Sequence, residues 1–248
     1  TSPYSFGIVD QIDQYVPAYK IGSGDITWID IIKHIALKNK PYIIASGASN
    51  MQDIDRAVGA GIEINKNIAL LQCNTNYTGS IENMKYINLN VIKSFQLKYP
   101  NMIIGLSDHT PGHATVLGAI TLGARIIEKH FTDDTSREGP DHLFSMDPKT
   151  WRDMVDRSRE LEAALGSTKK KIEENELETV VLQRRSIRAK YNLKLGSIIK
   201  DTDLEVLRPS PKNSLAPHEI NKIVGKKILQ DIKKGDCLYL HQIDINEE

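Results

Sequence analysis

The sequence predicts an α/β protein made of repeated strand–helix units, followed by a smaller β-rich domain. Through residue 165, short apolar runs alternate with stretches that have helical spacing. Each apolar run ends in polar or turn-forming residues, as buried parallel strands do. After a charged stretch, the pattern changes to short runs separated by turn signals, which is typical of a small β domain. We therefore expect three segments, at 1–166, 167–178 and 179–248.

Five strands can be assigned in the first segment, and each is followed by a helix. The predicted strands are PAYKIGSGD, PYIIASGAS, IALLQCNTNYT, IIGLSDHT and RIIEKHFT. The predicted helices are FGIVDQIDQY before the first strand, then ITWIDIIKHIALKN, MQDIDRAVGAGI, MKYINLNVIKSFQLKYP, GHATVLGAITLGA and KTWRDMVDRSRELEAAL. Repeated strand–helix units imply parallel strands joined by right-handed crossovers.

Both a barrel and an open doubly wound sheet fit this alternation. A complete (β/α)8 barrel takes about 250 residues, whereas the strand–helix region here ends near residue 165. The count suits a barrel that lacks its first strands, with Thr1 starting a fragment or a processed form. No glycine-rich phosphate fingerprint follows the first strand, and polar residues follow every strand end. These two features favour the incomplete barrel over the open sheet.

Composition narrows the function classes. Lys plus Arg equals Asp plus Glu at 32 each, so the net charge gives no sign of a nucleic-acid or membrane-surface partner. No apolar run approaches the roughly 20 residues that span a bilayer, and no secretory leader opens the sequence. Cys73 and Cys237 lie far apart and form no metal-binding knuckle. A reducing, cytoplasmic setting fits these features.

Two histidines point to a metal site. His109 and His130 come just after the fourth and fifth predicted strands. The carboxyl ends of neighbouring parallel strands meet at the edge where α/β proteins bind ligands. Two imidazoles there suit a divalent metal that acts as a Lewis acid on a carbonyl. The alternative is that they are ordinary histidines at strand ends.

The other strand ends supply polar groups for a small-molecule site. Lys20, with serines and backbone amides beside Gly24 and Gly47, suits a phosphate or carboxylate, and Asp141 suits a polyol. A GxSxG nucleophile elbow is absent from the sequence, which argues against serine hydrolysis. The full set of candidates comprises Lys20, Ser23, Asp25, Ser46, Gly47, Asn74, Thr75, Asn76, Tyr77, Ser107, Asp108, His109, Thr110, Lys129, His130, Thr132, Asp133, Arg137, Asp141 and His142.

Several motifs together resemble the sialic acid synthase family, which includes the pseudaminic and legionaminic acid synthases. They are AYKIGSGD, GLSDHT, the strand EKHFT, REGPDH, and RRSIRA with VLRP. The resemblance implies a barrel followed by a small antifreeze-like, or SAF, domain. It also implies condensation of phosphoenolpyruvate with N-acetylmannosamine or a similar amino sugar, with release of phosphate.

The resemblance also implies residue roles. His109 and His130 match metal ligands, for Mn²⁺ with Mg²⁺ as the alternative, and are catalytic together with Lys20. The matched substrate contacts are Lys20, Ser23, Asp25, Ser46, Asn74, Tyr77, Ser107 and Asp141. Arg208 resembles a tail-domain arginine that reaches into a partner's barrel, which implies a domain-swapped homodimer.

Three departures from the family pattern leave alternatives open. Asp25 stands where the family has glutamate, and QCNTNYT differs from the usual sequence after the third strand. The family's first strands, which carry an acidic catalytic residue and a phosphate-contacting lysine, have no counterpart in this sequence. A non-catalytic remnant or sugar-binding module is therefore the second hypothesis, and a metal-dependent hydrolase on the same barrel is the third. The sequence does not distinguish which nonulosonic acid would be made.

Overall fold

The computed structural model describes residues 1–245 and divides the chain into two compact units, 1–166 and 167–248. The last three residues of the predicted third segment, 246–248, lie outside the described residues. No helix in the described range is both long enough and apolar enough to cross a membrane.

The first unit is a five-stranded parallel sheet whose strands lie side by side in chain order. The strands are β1 (Tyr19–Ile21), β2 (Tyr42–Ala45), β3 (Ile68–Cys73), β4 (Ile103–Asp108) and β5 (Ile126–Lys129). A doubly wound sheet would reverse its strand order at a switch point. The order found here has no reversal, so the incomplete barrel is confirmed and the open sheet is excluded.

Six α-helices accompany these strands. They are α1 (Phe6–Ile12), α2 (Ile29–Ala36), α3 (Met51–Ile62), α4 (Val91–Lys98), α5 (Ala114–Thr121) and α6 (Pro148–Leu165). Local sequence fixes where several of them begin. Asn50 and Asp53 form a capping box at the start of α3, and Asp147 caps α6 with Pro148 in its first turn. Such caps satisfy amide groups that the first turn leaves without partners.

One predicted helix is interrupted. The stretch MKYINLNVIKSFQLKYP was expected to be continuous, but a 3-10 helix at Ile81–Tyr86 is followed by a break before α4. Asn88 in the break has a left-handed backbone with φ of 50°, and Asn90 is the N-cap of α4. Asparagine tolerates both positions, so the INLN sequence favours a turn over a helix interior.

The two faces of the sheet differ in chemistry. Residues such as Tyr19, Ile44 and Leu106 point to the helices and form the main hydrophobic core. The alternate positions point to the other face. They include Lys20 in β1, Ser107 in β4 and Glu128 in β5. This alternation decides which polar residues can meet at the strand ends.

The second unit contains two small antiparallel pairs. Strand β6 (Ser186–Ala189) pairs with β7 (Leu204–Leu207), and β8 (Lys227–Ile228) pairs with β9 (Ile243–Asp244). Two short helices, α7 (Leu177–Gln183) and α8 (Ile220–Ile223), accompany them. The stretch TVVLQ falls within the segment predicted to be β-rich, but it forms the greater part of α7. Its β-branched residues do not outweigh the helical context.

The predicted glycine turns of this unit are present. Gly196 and Gly235 have φ of 84° and 86°, a conformation that other residues adopt at a cost. A compact core that includes Ile187, Leu238 and Ile243 lies beneath these turns.

Candidate active site

A cavity of about 730 Å³ opens at the carboxyl ends of the five strands. Nine of the twenty candidate residues that the sequence singled out line it. Its lining residues are Tyr4, Lys20, Gly22, Ser23, Gly24, Asp25, Thr75, Tyr77, Ser107, His109, His130, Pro140 and Asp141. The volume lies within the usual range of small-molecule sites.

A charged hydrogen-bond group forms one wall. The Lys20 Nζ atom lies 2.9 Å from Oε1 of Glu128, and the Ser107 hydroxyl donates to the same oxygen at 3.0 Å. The three residues come from β1, β4 and β5, on the face that points away from the helices. The carboxylate therefore holds an ammonium group and a hydroxyl in fixed positions at the cavity wall.

The two histidines are neighbours in space. The ring centroids of His109 and His130 are 5.1 Å apart. Tyr77 lies edge-on to His109, with 4.6 Å between ring centroids, and the buried Phe144 packs against both imidazoles. The two imidazoles thus share one aromatic pocket, which the strand positions alone had suggested.

Burial shapes the protonation of this group. Desolvation lowers the pKa of His109 and also that of His130, and the neighbouring imidazole adds to the effect at His130. Burial likewise raises the pKa of the Tyr77 phenol. The neutral forms of both imidazoles are therefore favoured over the charged forms, which leaves ring nitrogens available as ligands.

The hydrogen bonds of the imidazoles suit metal binding. The His109 Nδ1 atom lies 3.1 Å from the carbonyl oxygen of Asn74 and donates to it, so Nε2 carries the free lone pair. The His130 Nδ1 atom lies 3.3 Å from a carboxylate oxygen of Asp141. Ligand histidines are commonly oriented by such contacts at the second ring nitrogen. The donor set therefore fits a divalent ion.

The two imidazoles stand without a third protein ligand. Among the described residues, no group of three or more His, Cys, Asp or Glu side chains is arranged to hold a metal ion. Two protein ligands leave most coordination positions to water or substrate, as a catalytic ion requires.

A second polar group lies where the chain turns after β1 and β2. The Gly47 amide donates to the Ser23 hydroxyl at 3.1 Å. A Cβ atom at Gly47 would collide with the hydroxyl of Thr75, so only glycine allows this close approach. Asp25 follows Ser23 in a short 3-10 helix and lines the same cavity.

Ser46 and Asn74 are placed differently from the prediction. Ser46 is buried outside the cavity, with its hydroxyl 3.4 Å from Gln72 Oε1. Ser46 lies two residues after Ile44 of β2, so its side chain points to the same face of the sheet, toward the helices. Asn74 contributes its backbone carbonyl to His109, and its side chain does not line the cavity.

Three further candidates also lie behind the sheet. Lys129 Nζ lies 2.7 Å from Asp108 Oδ2, and both side chains are fully buried. The Thr110 hydroxyl donates to the same carboxylate. Each charged residue directly precedes a histidine of the cavity, so alternation sends it to the opposite face. The expectation that all strand-end polar residues share one site was wrong for these three.

Sequence reasoning missed Glu128, Phe144 and Tyr4. Glu128 was visible as part of the EKHFT motif, and its position two residues before His130 on a strand predicts the same face. Phe144 ends a short 3-10 helix and Tyr4 precedes α1, and spacing along the sequence gives no such signal for either of them.

Arg208 belongs to the second unit. Its Nε atom donates to the carbonyl oxygen of Gln183 at 2.6 Å, and its side chain is exposed. Its predicted role in a partner's barrel stays a prediction.

Fold and site together define an α/β-barrel protein whose strand ends surround a cavity lined by a lysine, hydroxyl groups and two imidazoles, joined to a small β domain. The model of the NeuB family matches residues 1–170 and that of the SAF domain matches residues 184–244. The chain belongs to the NeuB family, as its motifs had indicated.

Known relatives are similar over most of the chain. N,N'-diacetyllegionaminic acid synthase of Legionella pneumophila is 36% identical over 92% of this chain and 64% of its own length. Human N-acetylneuraminate-9-phosphate synthase is 32% identical over 92% of this chain and 63% of its own length. The crystal structure of N-acetylneuraminic acid synthetase from Leptospira borgpetersenii, in complex with citrate, matches with a TM-score of 0.65 and 29% identity. That match covers 72% of this chain and 62% of the other. The chain thus spans less than two thirds of each of these relatives.

Proposed function

We propose that this chain carries the active site of a nonulosonic acid synthase. The reaction joins phosphoenolpyruvate to N-acetylmannosamine or a related amino sugar and releases phosphate. The observation that carries the proposal is the cavity in which the ammonium group of Lys20 and the imidazoles of His109 and His130 face the same space. The names of the relatives, both synthases of sialic-type acids, support the product class.

The anionic substrate would bind at the wall formed by Lys20, Ser107 and Ser23. Lys20 supplies a positive charge and the two hydroxyls supply donors, a combination that suits phosphate and carboxylate oxygens. Glu128 accepts from both Lys20 and Ser107, so it sets where these two donors point. It also keeps Lys20 from being an isolated charge in a partly buried wall.

The sugar would bind on the opposite side. Asp141 is half exposed at the cavity edge, where its carboxylate accepts hydrogen bonds from sugar hydroxyls. Tyr77 provides an aromatic wall beside the imidazoles. Asp25 lines the same cavity, where its carboxylate would accept a hydrogen bond from the substrate. A divalent ion held by His109 and His130, Mn²⁺ before Mg²⁺ because imidazole is a softer donor than oxygen, would polarise the sugar carbonyl.

The proposed reaction consumes one water molecule and releases one phosphate. The methylene carbon of phosphoenolpyruvate bonds to the carbonyl carbon of the sugar, and positive charge develops at the carbon that bears the phosphate oxygen. Water adds to that carbon, and the tetrahedral intermediate expels phosphate. With phosphoenolpyruvate bound at the Lys20 wall, the carboxylates of Glu128 and Asp25 would lie on the side of the developing charge, and their negative charge would favour its formation.

A product assay tests the proposal. The protein is incubated with phosphoenolpyruvate, N-acetylmannosamine and Mn²⁺, and phosphate release is compared with the mass of the product. We expect equal amounts of phosphate and a nonulosonic acid. His109→Ala should abolish both, whereas His34→Ala, a histidine on α2 outside the cavity, should retain both. Phosphoenolpyruvate binding without product would instead support the non-catalytic reading.

A further inference from the structure

The second unit has a concave surface of its own, with a cavity of about 650 Å³. It lies between the end of α7 and the loop 208–218. Two hydrogen bonds attach the loop to the last turn of the helix: Ser210 N donates to Val181 O at 2.8 Å, and Arg208 Nε donates to Gln183 O at 2.6 Å. Arg184, which follows α7, and Lys212, which lies in the loop, both line this cavity.

The lining of this cavity is basic on several sides. Arg184, Arg185, Lys212 and His218 all line it, and none of its lining residues is Asp or Glu. The nearest acidic neighbour in sequence, Glu219, is not a lining residue, and its carboxylate accepts from the Ala216 amide and from Lys222. No carboxylate of the cavity lining therefore faces Arg184, Arg185 or Lys212.

One of the arginines is held in place. Arg185 Nη1 donates to Val206 O at 2.8 Å, which fixes the guanidinium and leaves its other N–H groups for a ligand. Arginine presents five N–H donors in a planar fork that matches phosphate oxygens. Ser210 and Ser214 line the loop side of the same cavity. Their hydroxyls bond to each other at 3.2 Å, and the Ser214 hydroxyl donates to Pro211 O at 2.7 Å, which fixes the shape of the loop.

We propose that this cavity binds a small phosphorylated molecule through its dianionic phosphate group. A dianion suits the two arginines and the lysine better than a single carboxylate does. The volume falls within the range of small-molecule sites and exceeds what a bare phosphate fills. All residues that line the site belong to the second unit, and Arg208 is not one of them.

The test uses the full chain with Lys20→Met, which removes the phosphate-binding lysine of the barrel cavity. Inorganic phosphate and a hexose 6-phosphate are titrated separately by calorimetry and followed by phosphorus NMR line broadening. We expect about one site per chain. The double variant Arg184→Gln/Lys212→Gln, added to this background, should weaken binding at least tenfold, by about the size expected for loss of charge-assisted hydrogen bonds. Neither side chain is needed for the core, so folding should be unchanged.

A matched control distinguishes binding in the cavity from nonspecific attraction to the positive charge of the unit. The variant Lys233→Gln/Lys234→Gln removes two exposed charges from the same unit outside the cavity and should leave binding unchanged. Tighter binding of the hexose 6-phosphate than of phosphate supports a phosphorylated organic ligand, and equal binding supports free phosphate as the ligand. The proposal is overturned if neither phosphate nor the hexose 6-phosphate binds. It is also overturned if the two double variants weaken binding equally.

Discussion

At the scale of single residues, the site depends on which way each side chain points. His109 and Ser107 face the cavity, whereas Asp108 between them faces the helices. The same alternation separates Glu128 and His130 from Lys129. The sequence predicted the identity of the cavity histidines and of Lys20. We did not infer from it that adjacent residues at a strand end point to opposite faces of the sheet, although the two-residue period of a strand contains that information.

Glu128 offers a direct test of the wall that it organises. Glu128→Ala should weaken phosphoenolpyruvate binding about tenfold, because Lys20 and Ser107 each lose the acceptor that orients them. Sugar binding should change little. Both affinities can be measured by calorimetry.

The control for this variant is Glu162→Ala, which removes an exposed carboxylate on α6. It should leave both affinities unchanged. Tighter binding of phosphoenolpyruvate by Glu128→Ala would show that the carboxylate competes with the substrate anion, contrary to the role assigned here.

At the scale of elements, a buried hydrogen-bond network on the helix side of the sheet connects the strand ends. The carboxylate of Asp108 at the end of β4 accepts from Lys129 in β5 and from Thr115 in α5. Lys129 also donates to the backbone carbonyl of Thr110 at 2.6 Å. This buried network joins two strands and a helix directly behind the paired imidazoles of His109 and His130. It therefore stabilises the arrangement that brings them together.

Breaking this buried pair should cost far more than breaking an exposed one. Lys129→Met leaves the Asp108 carboxylate buried without its cation, which should lower the free energy of unfolding by about 3–5 kcal/mol. Urea denaturation followed by circular dichroism measures the change.

The comparison is Asp156→Asn on α6, which removes an exposed ion pair with Arg152. It should change stability by no more than about 0.5 kcal/mol. Similar small effects for the two variants would show that the buried network contributes little.

At the scale of the whole molecule, the order of elements was predictable and their interruptions were less so. Alternating apolar runs and helical spacing predicted all five strands of the sheet. The asparagine-rich break before α4 and the helical stretch at α7 were missed, because short local signals compete with a longer hydrophobic pattern. Whether Arg208 acts in its own chain or in a partner chain depends on assembly, and a single sequence contains no pattern for that.

The trans role of Arg208 predicts complementation. Arg208→Ala should weaken sugar binding while metal binding and folding remain intact, because the arginine belongs to the second unit. If this arginine completes the site of a partner chain, mixing Arg208→Ala with His109→Ala should restore part of the activity, since the mixed dimer holds one site with both residues.

Arg159→Ala mixed with His109→Ala is the control, since Arg159 is an exposed residue of α6 and this variant keeps both His109 and Arg208. Its activity per chain should stay unchanged on mixing. Mixed dimers that form without any recovery of activity by Arg208→Ala would show that the arginine does not act in trans.

The central claim is that His109 and His130 form a metal site at the mouth of the barrel. Electron paramagnetic resonance of Mn²⁺ titrated into the protein measures it directly, without requiring turnover. The account predicts about one bound Mn²⁺ per chain, loss of that binding in His109→Ala/His130→Ala, and its retention in His34→Ala/His241→Ala, since these two histidines lie outside the cavity. Stoichiometric Mn²⁺ binding that survives in the His109→Ala/His130→Ala variant would contradict the assignment.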